Sequence, residues 1–257
     1  MRPPEIVRTL RFGRRGSASA SVALRIAAPE GLARPPGILY LHGFGSAQAG
    51  EKADFFRERA VAAGYRFASF DFRGHGESGG GLSDLTLSRN LEDLELVSAE
   101  LGWRRFALIG SSMGGATALW CAAQHPERVA VALLIAPALE MEKGLLTWAG
   151  PERAERWQRE GSIRFDNGFV ESDLDWRLIE DLRRYPRARL QEQLQTPTLI
   201  FQGRMDASVP YADVVDFVAR CRYRRIELRL YADGDHRLTD RKEDLWRGMA
   251  EWLARVG

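Results

Sequence analysis

Phe106-Ala107-Leu108-Ile109-Gly110-Ser111-Ser112-Met113-Gly114-Gly115 is the stretch on which the fold turns. Its first half is a short, nearly unbroken apolar run, as expected of a strand covered on both faces. Its continuation, Met113–Gln124, is a small-residue helix stopped near Pro126. Between them lies a G-x-S-x-G pattern centred on Ser112. A serine on a sharp strand-to-helix turn takes unfavourable backbone angles, and the residues two before and two after it come close together. Only positions without a side chain allow that approach, which fits Gly110 and Gly114. Ser111 fails the same pattern, because its flanks are Ile109 and Met113. The turn also sets Ser112 at a helix N-terminus, where main-chain N–H groups point at a developing oxyanion.

Working outward, strands and helices alternate. Upstream, Ile38–Leu41 and Arg66–Phe72 read as strands, and Lys52–Ala63 and Leu87–Leu101 as helices. Downstream, Val129–Ala136, Thr198–Gln202 and Glu227–Tyr231 read as strands, and Val214–Arg220 and Leu245–Val256 as helices. This order predicts an α/β protein with a mostly parallel central sheet and helices on both faces. Ile6–Phe12 and Ser17–Ala27, joined by a turn at Arg14-Arg15-Gly16, add an N-terminal antiparallel hairpin. Residues 137–186 break the rhythm. They are charged and aromatic (Trp148, Trp157, Phe165, Phe169, Trp176) and show no clear strand. They predict a small helical cap, 137–186, inserted into a core domain made of 1–136 and 187–257.

Composition excludes several classes. The formal net charge is +2, and acids and bases alternate along the chain, so no nucleic-acid footprint stands out. Basic residues are nearly all arginine; lysine occurs only at 52, 143 and 242. The longest apolar run, Val129–Leu139, is too short to span a bilayer and is broken by Pro137. The N-terminus lacks a signal-peptide pattern, and a cytoplasmic protein is the expectation. Cys121 and Cys221 cannot form a disulfide framework or a metal site, and no metal or organic cofactor is expected. A monomer or homodimer acting on a small molecule is the expected state.

A serine nucleophile needs a base, and the base needs an orienting carboxylate. Four histidines are present. His125 closes a helix before Pro126; His42 ends a strand and reads as a structural hydrogen-bonder; His75 lies in a glycine-rich turn. His236 sits in Asp233-Gly234-Asp235-His236, directly after strand Glu227–Tyr231. Asp206 lies in Gly203-Arg204-Met205-Asp206-Ala207-Ser208-Val209-Pro210, after strand Thr198–Gln202 and before a helix that Pro210 can start. Asp233 and Asp235 are too near His236 to orient it and read as turn formers. His42-Gly43-Phe44-Gly45 follows strand Ile38–Leu41 and suits a loop that aims an N–H at an oxyanion.

Taken together, HGFG at 42–45, DFRGHGES at 71–78, GSSMGG at 110–115, GRMDASVP at 203–210 and DGDH at 233–236 resemble the α/β-hydrolase superfamily, over about Pro36 to Leu253. The run from HGF to the nucleophile is similar to small esterases and to the mitochondrial depalmitoylating and acyl-glucuronide-cleaving hydrolases. The resemblance implies the α/β-hydrolase fold and a chain order of nucleophile, acid, base. Ser112, Asp206 and His236 would then form the triad, with the main-chain N–H groups of Phe44 and Met113 as the oxyanion hole. A serine at 112 argues against dehalogenase and epoxide hydrolase relatives, which carry aspartate there. The expected activity is cleavage of carboxylic esters through an acyl-enzyme, on apolar acyl or aryl substrates. Phe44, Ser111, Trp148 and Val209 are the candidate substrate contacts. A thioesterase or acyltransferase on the same side chains is the alternative, and a non-catalytic small-molecule binder a third.

Overall fold

The computed structural model describes residues 5–11, 21–166, 168 and 170–256. The turn expected at 14–16, and Phe169, lie outside them. Strands β1 (Glu5–Arg11) and β2 (Ser21–Ala27) pair antiparallel, as the hairpin reading requires. Then come β3 (Arg34–Leu41), α1 (Glu51–Ala62), β4 (Tyr65–Phe70), α2 (Leu87–Leu101), β5 (Phe106–Ser111), α3 (Met113–Gln124) and β6 (Val129–Ile135). After an insertion, β9 (Thr198–Gly203), α8 (Tyr211–Arg220), β10 (Ile226–Tyr231) and α9 (Lys242–Val256) complete the core.

The eight-stranded sheet has the order β1-β2-β4-β3-β5-β6-β9-β10. Strands β4, β3, β5, β6, β9 and β10 run parallel, while β2 pairs antiparallel with β4. Alternation along a strand decides which layer each side chain joins. In β3, Ile38 and Tyr40 pack with Phe56 and Ala60 of α1 and Leu245, Met249 and Leu253 of α9. Leu39 and Leu41 face the other way, toward Leu94 and Val97 of α2, Leu119 of α3 and Phe217 of α8. Because both faces are covered, the central strands are apolar at consecutive positions, and β6 is buried along its whole length. Parallel pairing brings the carboxyl ends of β3, β5, β9 and β10 to one rim. The candidate residues 42–45, 112, 206 and 236 all follow directly from those ends.

The segment between β6 and β9 differs from expectation in one respect. Helices α4 (Met141–Ala149), α5 (Pro151–Glu160), α6 (Arg177–Leu182) and α7 (Arg187–Gln193) are present, but so is an antiparallel pair, β7 (Ser162–Asp166) with β8 (Glu171–Asp175). Ile163 and Phe165 turn inward on β7 and Leu174 on β8, and Arg164 bridges across to Glu171 and Asp173. The segment is tied down at both levels. The Trp157 indole N–H donates to the Leu174 carbonyl at 2.9 Å, and Asp181 of α6 accepts from Ser88 N–H (2.9 Å) and Ser88 Oγ (2.5 Å) in the first turn of α2.

Candidate active site

Ser112 joins β5 to α3 with φ 53° and ψ −115°, a backbone conformation that side-chain-bearing residues rarely adopt. Such a residue costs of order 1–3 kcal/mol and persists only when its surroundings enforce it. Those surroundings are its two glycines. A Cβ on Gly110 would lie 2.5 Å from the Gly114 carbonyl oxygen, and one on Gly114 would lie 2.3 Å from that of Leu41. Ser112 N–H donates to Ile135 O at 2.9 Å, and its carbonyl accepts from Ala116 and Ala138. Ser112 is half-buried, whereas Ser111 beside it is buried.

The loop after β3 runs alongside. A Cβ on Gly43 would stand 3.3 Å from the Ser112 Cβ. Met113, the first residue of α3, has an N–H with no partner inside its own helix, and Phe44 lies one residue beyond Gly43. The loop is held from beneath. His42 shares its Nδ1 proton with Gly43 O (2.8 Å), and Nε2 accepts Phe72 N–H (3.1 Å). Burial holds the His42 imidazole neutral, with its pKa lowered to about 4. Asp71 accepts from Gln48 N–H (2.6 Å), Gln48 Nε2 (3.1 Å) and Glu77 N–H (2.9 Å), tying 42–48 to 71–78. The DFRGHGES stretch is thus a brace for the loop above it. Burial, and secondly His42, lower the His75 pKa to about 3.

Asp206 and His236 meet on adjacent loops. His236 Nδ1 and Asp206 Oδ2 are 2.8 Å apart. Asp206 Oδ2 also accepts from Gln202 Nε2 (2.9 Å), and Oδ1 accepts the N–H groups of Ser208 and Val209, each at 2.8 Å. Burial alone would raise the Asp206 pKa. The His236 hydrogen bond and charge, Val209 N–H and Gln202 outweigh it, and the carboxyl titrates below its usual value. Asp235 Oδ1 accepts the N–H groups of Arg237 and Leu238 at 2.9 and 2.7 Å, shaping the turn. Asp233 pairs with Arg241.

The loop carrying His236 is linked to the Ser112 turn by the side chain of Lys52. Lys52 Nζ, on α1, lies 3.0 Å from Ser111 Oγ and 3.0 Å from the carbonyl oxygen of Arg237. Residues on either side of the candidate nucleophile and base therefore share a single ammonium group. In the sequence Lys52 stood out only as one of three lysines and as the start of a helix. The available signal was its position: a lysine in a helix's first turn opposes the macrodipole. Gln202 was also missed, being hidden in an otherwise apolar strand.

The four expected substrate contacts have different immediate partners. Phe44 packs edge-on to Phe165 (5.4 Å between ring centroids), and Trp148 packs against the same ring at 4.6 Å. Val209 belongs to the Asp206 loop, and Ser111 faces Lys52. A cavity of about 170 Å³ opens beside Met113, between α3 and the inserted segment. Ala116, Trp120, Leu139, Leu182 and Leu190 contribute to its apolar walls, and none of Phe44, Ser111, Trp148 and Val209 lines it. At its mouth, Glu140 pairs with Arg187 and Glu142 with Arg183. Among the described residues, no three His, Cys, Asp or Glu side chains are grouped as a metal site.

Known proteins are similar to this chain in sequence and fold. Mouse mitochondrial palmitoyl-protein thioesterase ABHD10 is 25% identical over 228 residues, covering 82% of this chain and 72% of that protein. A crystal structure of a hydrolase described as putative, from Agrobacterium vitis S4, superposes with a TM-score of 0.86 at 28% identity, covering 97% of this chain and 99% of that one. Ferulic-acid-bound Est1E from Butyrivibrio proteoclasticus shares the fold (TM-score 0.72, 20% identity, 91% and 96% coverage). Residues 36–177, more than half of the sequence, match the alpha/beta hydrolase fold family, and the chain belongs to that family.

Proposed function

We propose that this protein is a serine hydrolase that cleaves carboxylic esters of apolar acyl or aryl groups through an acyl-enzyme on Ser112. The observation that carries the reading is the Asp206–His236 pair at 2.8 Å, on the loop tied by Lys52 to the strained Ser112 turn. With Nδ1–H donated to Asp206, Nε2 is the nitrogen that accepts a proton.

In this mechanism Ser112 Oγ attacks the carbonyl carbon as His236 Nε2 takes its proton. The N–H groups of Phe44 and Met113 receive the oxyanion; in comparable sites, losing one such donor costs roughly 10²–10³ in kcat. Collapse expels the alcohol, which takes the proton from His236. A water deprotonated by His236 then attacks the acyl-Ser112 carbonyl, and collapse releases the acid as His236 returns that proton to Ser112 Oγ. Asp206 stays ionised throughout and stabilises the imidazolium. Residues 137–186 act as a cap, with Phe165 seated on Phe44 of the oxyanion loop. The proposal includes a cytoplasmic setting, in keeping with two buried free thiols, Cys121 and Cys221. Among the described residues, no helix is long and apolar enough to cross a membrane.

The cavity beside Met113, with its apolar walls, and the likeness to a palmitoyl-protein thioesterase favour a second reading, thioester cleavage by the same residues. A p-nitrophenyl ester series from acetate to octanoate, with acyl-CoA as competitor, tests both. Rates that rise with chain length and vanish in Ser112→Ala support an apolar acyl site. Equal rates for acetate and octanoate contradict it, and strong inhibition by acyl-CoA at low ester concentration moves the assignment to a thioesterase.

A further inference from the structure

Lys52 is out of character for this chain. Of 37 basic residues, only three are lysine. Lys143 and Lys242 bond the carboxylates of Asp213 and Glu51. Lys52 instead donates to two uncharged oxygens, Ser111 Oγ and Arg237 O, each at 3.0 Å. Among the described residues it joins no ion pair within contact distance. It is half-buried, and it sits where the α1 dipole disfavours a cation. An ammonium held against these costs has a geometric task. A compact head with three divergent donors can serve two oxygens from different elements, where the planar fork of arginine matches a carboxylate.

We propose, building on the hydrolase reading above, that Lys52 is a positioning residue: its ammonium locks the base-bearing loop to the nucleophile turn. Ser111 is then the fixed end of the lock rather than a substrate contact. The backbone carbonyl of Arg237, one residue past His236, is the movable end. A hydrogen bond from a charged donor is roughly twice as strong as one from a neutral donor, so the lock weakens when the ammonium loses its proton.

That loss falls in an accessible range. Burial first, then the neighbouring Arg237 charge, lower the Lys52 pKa to about 8, against the opposing pull of Asp235, Asp206 and Glu51. Asp206 and Asp235 face it from the acid and base loops; Glu51, on its own helix, is engaged by Lys242. Below about pH 8 the lock is charged. Above it, kcat falls while substrate binding, which does not involve Lys52, holds.

The test measures kcat and KM for p-nitrophenyl butyrate from pH 6 to 10 in wild type and Lys52→Met, with fluorophosphonate labelling of Ser112 in parallel. The expected result is a kcat at least tenfold lower in Lys52→Met at pH 7, KM within threefold, and loss of the wild-type decline near pH 8. If Lys52→Met does not fold, Ser111→Ala removes the fixed end alone and is expected to lower kcat at least threefold at constant KM. Labelled protein whose kcat is unchanged by these substitutions, or whose variant keeps the wild-type pH profile, overturns the role of Lys52 alone. Wild type that neither labels nor turns over overturns the hydrolase reading together with it.

Discussion

Asp206 accepts His236 Nδ1–H on one carboxylate oxygen while its other oxygen is held by the N–H groups of Ser208 and Val209. The carboxylate is thus fixed before the imidazole meets it, and only one histidine tautomer satisfies both groups. Asp206→Asn would turn an acceptor into an amide and favour the wrong tautomer. The expected loss in kcat is on the order of 10³–10⁴, with KM changed little, read by steady-state ester hydrolysis.

The lowered Asp206 pKa also links folding to pH. A carboxyl whose folded pKa lies below its unfolded value adds stability above the unfolded value, and that stability is lost as pH falls through the folded one. The melting-temperature gap between wild type and Asp206→Asn is therefore expected to be largest near neutral pH. It should narrow as pH falls from about 5 toward 3. A gap independent of pH would contradict the linkage.

His42 and His75 act over a higher window. Both are buried and neutral, with pKa values lowered to about 4 and about 3 from an ordinary value near 6.5. Unfolding frees them to take up protons, so the stability present above pH 6.5 is lost as pH falls toward those folded values. Each contributes a slope of up to about 1.4 kcal/mol per pH unit. Wild-type denaturant midpoints are expected to fall between pH 6.5 and 5, before most carboxylates titrate, and His42→Gln is expected to flatten that slope.

Ser112 trades stability for exposure of its hydroxyl. Its φ of 53° strains any residue with a Cβ, so Ser112→Ala keeps the strain and Ser112→Gly relieves it. Both variants are expected to lose ester hydrolysis. Ser112→Gly is expected to be more stable than Ser112→Ala by about 1 kcal/mol, after the entropy that glycine adds to the unfolded chain. Urea denaturation of the two variants reads the difference.

Asp181 fastens the inserted segment to the core through Ser88. Asp181→Ala leaves the half-buried Ser88 donors without that acceptor, at a cost of about 1 kcal/mol. Faster limited proteolysis within 137–186, with the core fragment intact, is the expected signature.

How much of this was legible depended on how local each signal was. Leu87–Leu101 was readable to the residue, because its apolar spacing ends at Gly102, which the structure holds left-handed at φ 62°. Met113–Gln124 was bounded equally well by the glycine turn and Pro126. The loops that bring Asp206 and His236 within 2.8 Å of each other were readable because each follows a strong strand. Strand β8 was not: Glu171-Ser172-Asp173-Leu174-Asp175 has little strand propensity, and it forms by pairing its acids with Arg164 on β7. β7 does alternate, with Ile163 and Phe165 inward, but within a charged aromatic segment that pattern was read as helical. The hydrogen bond between Ser111 and Lys52 was not legible either: the two are 59 residues apart, and no local pattern marks such a contact.

Mass spectrometry of the fluorophosphonate-treated protein tests the central claim most directly. A single adduct on the peptide carrying Ser112, absent in Ser112→Ala and strongly slowed in His236→Ala, is the expected result. An unmodified Ser112 in folded protein that still hydrolyses esters, or labelling that persists unchanged in Ser112→Ala, would contradict it.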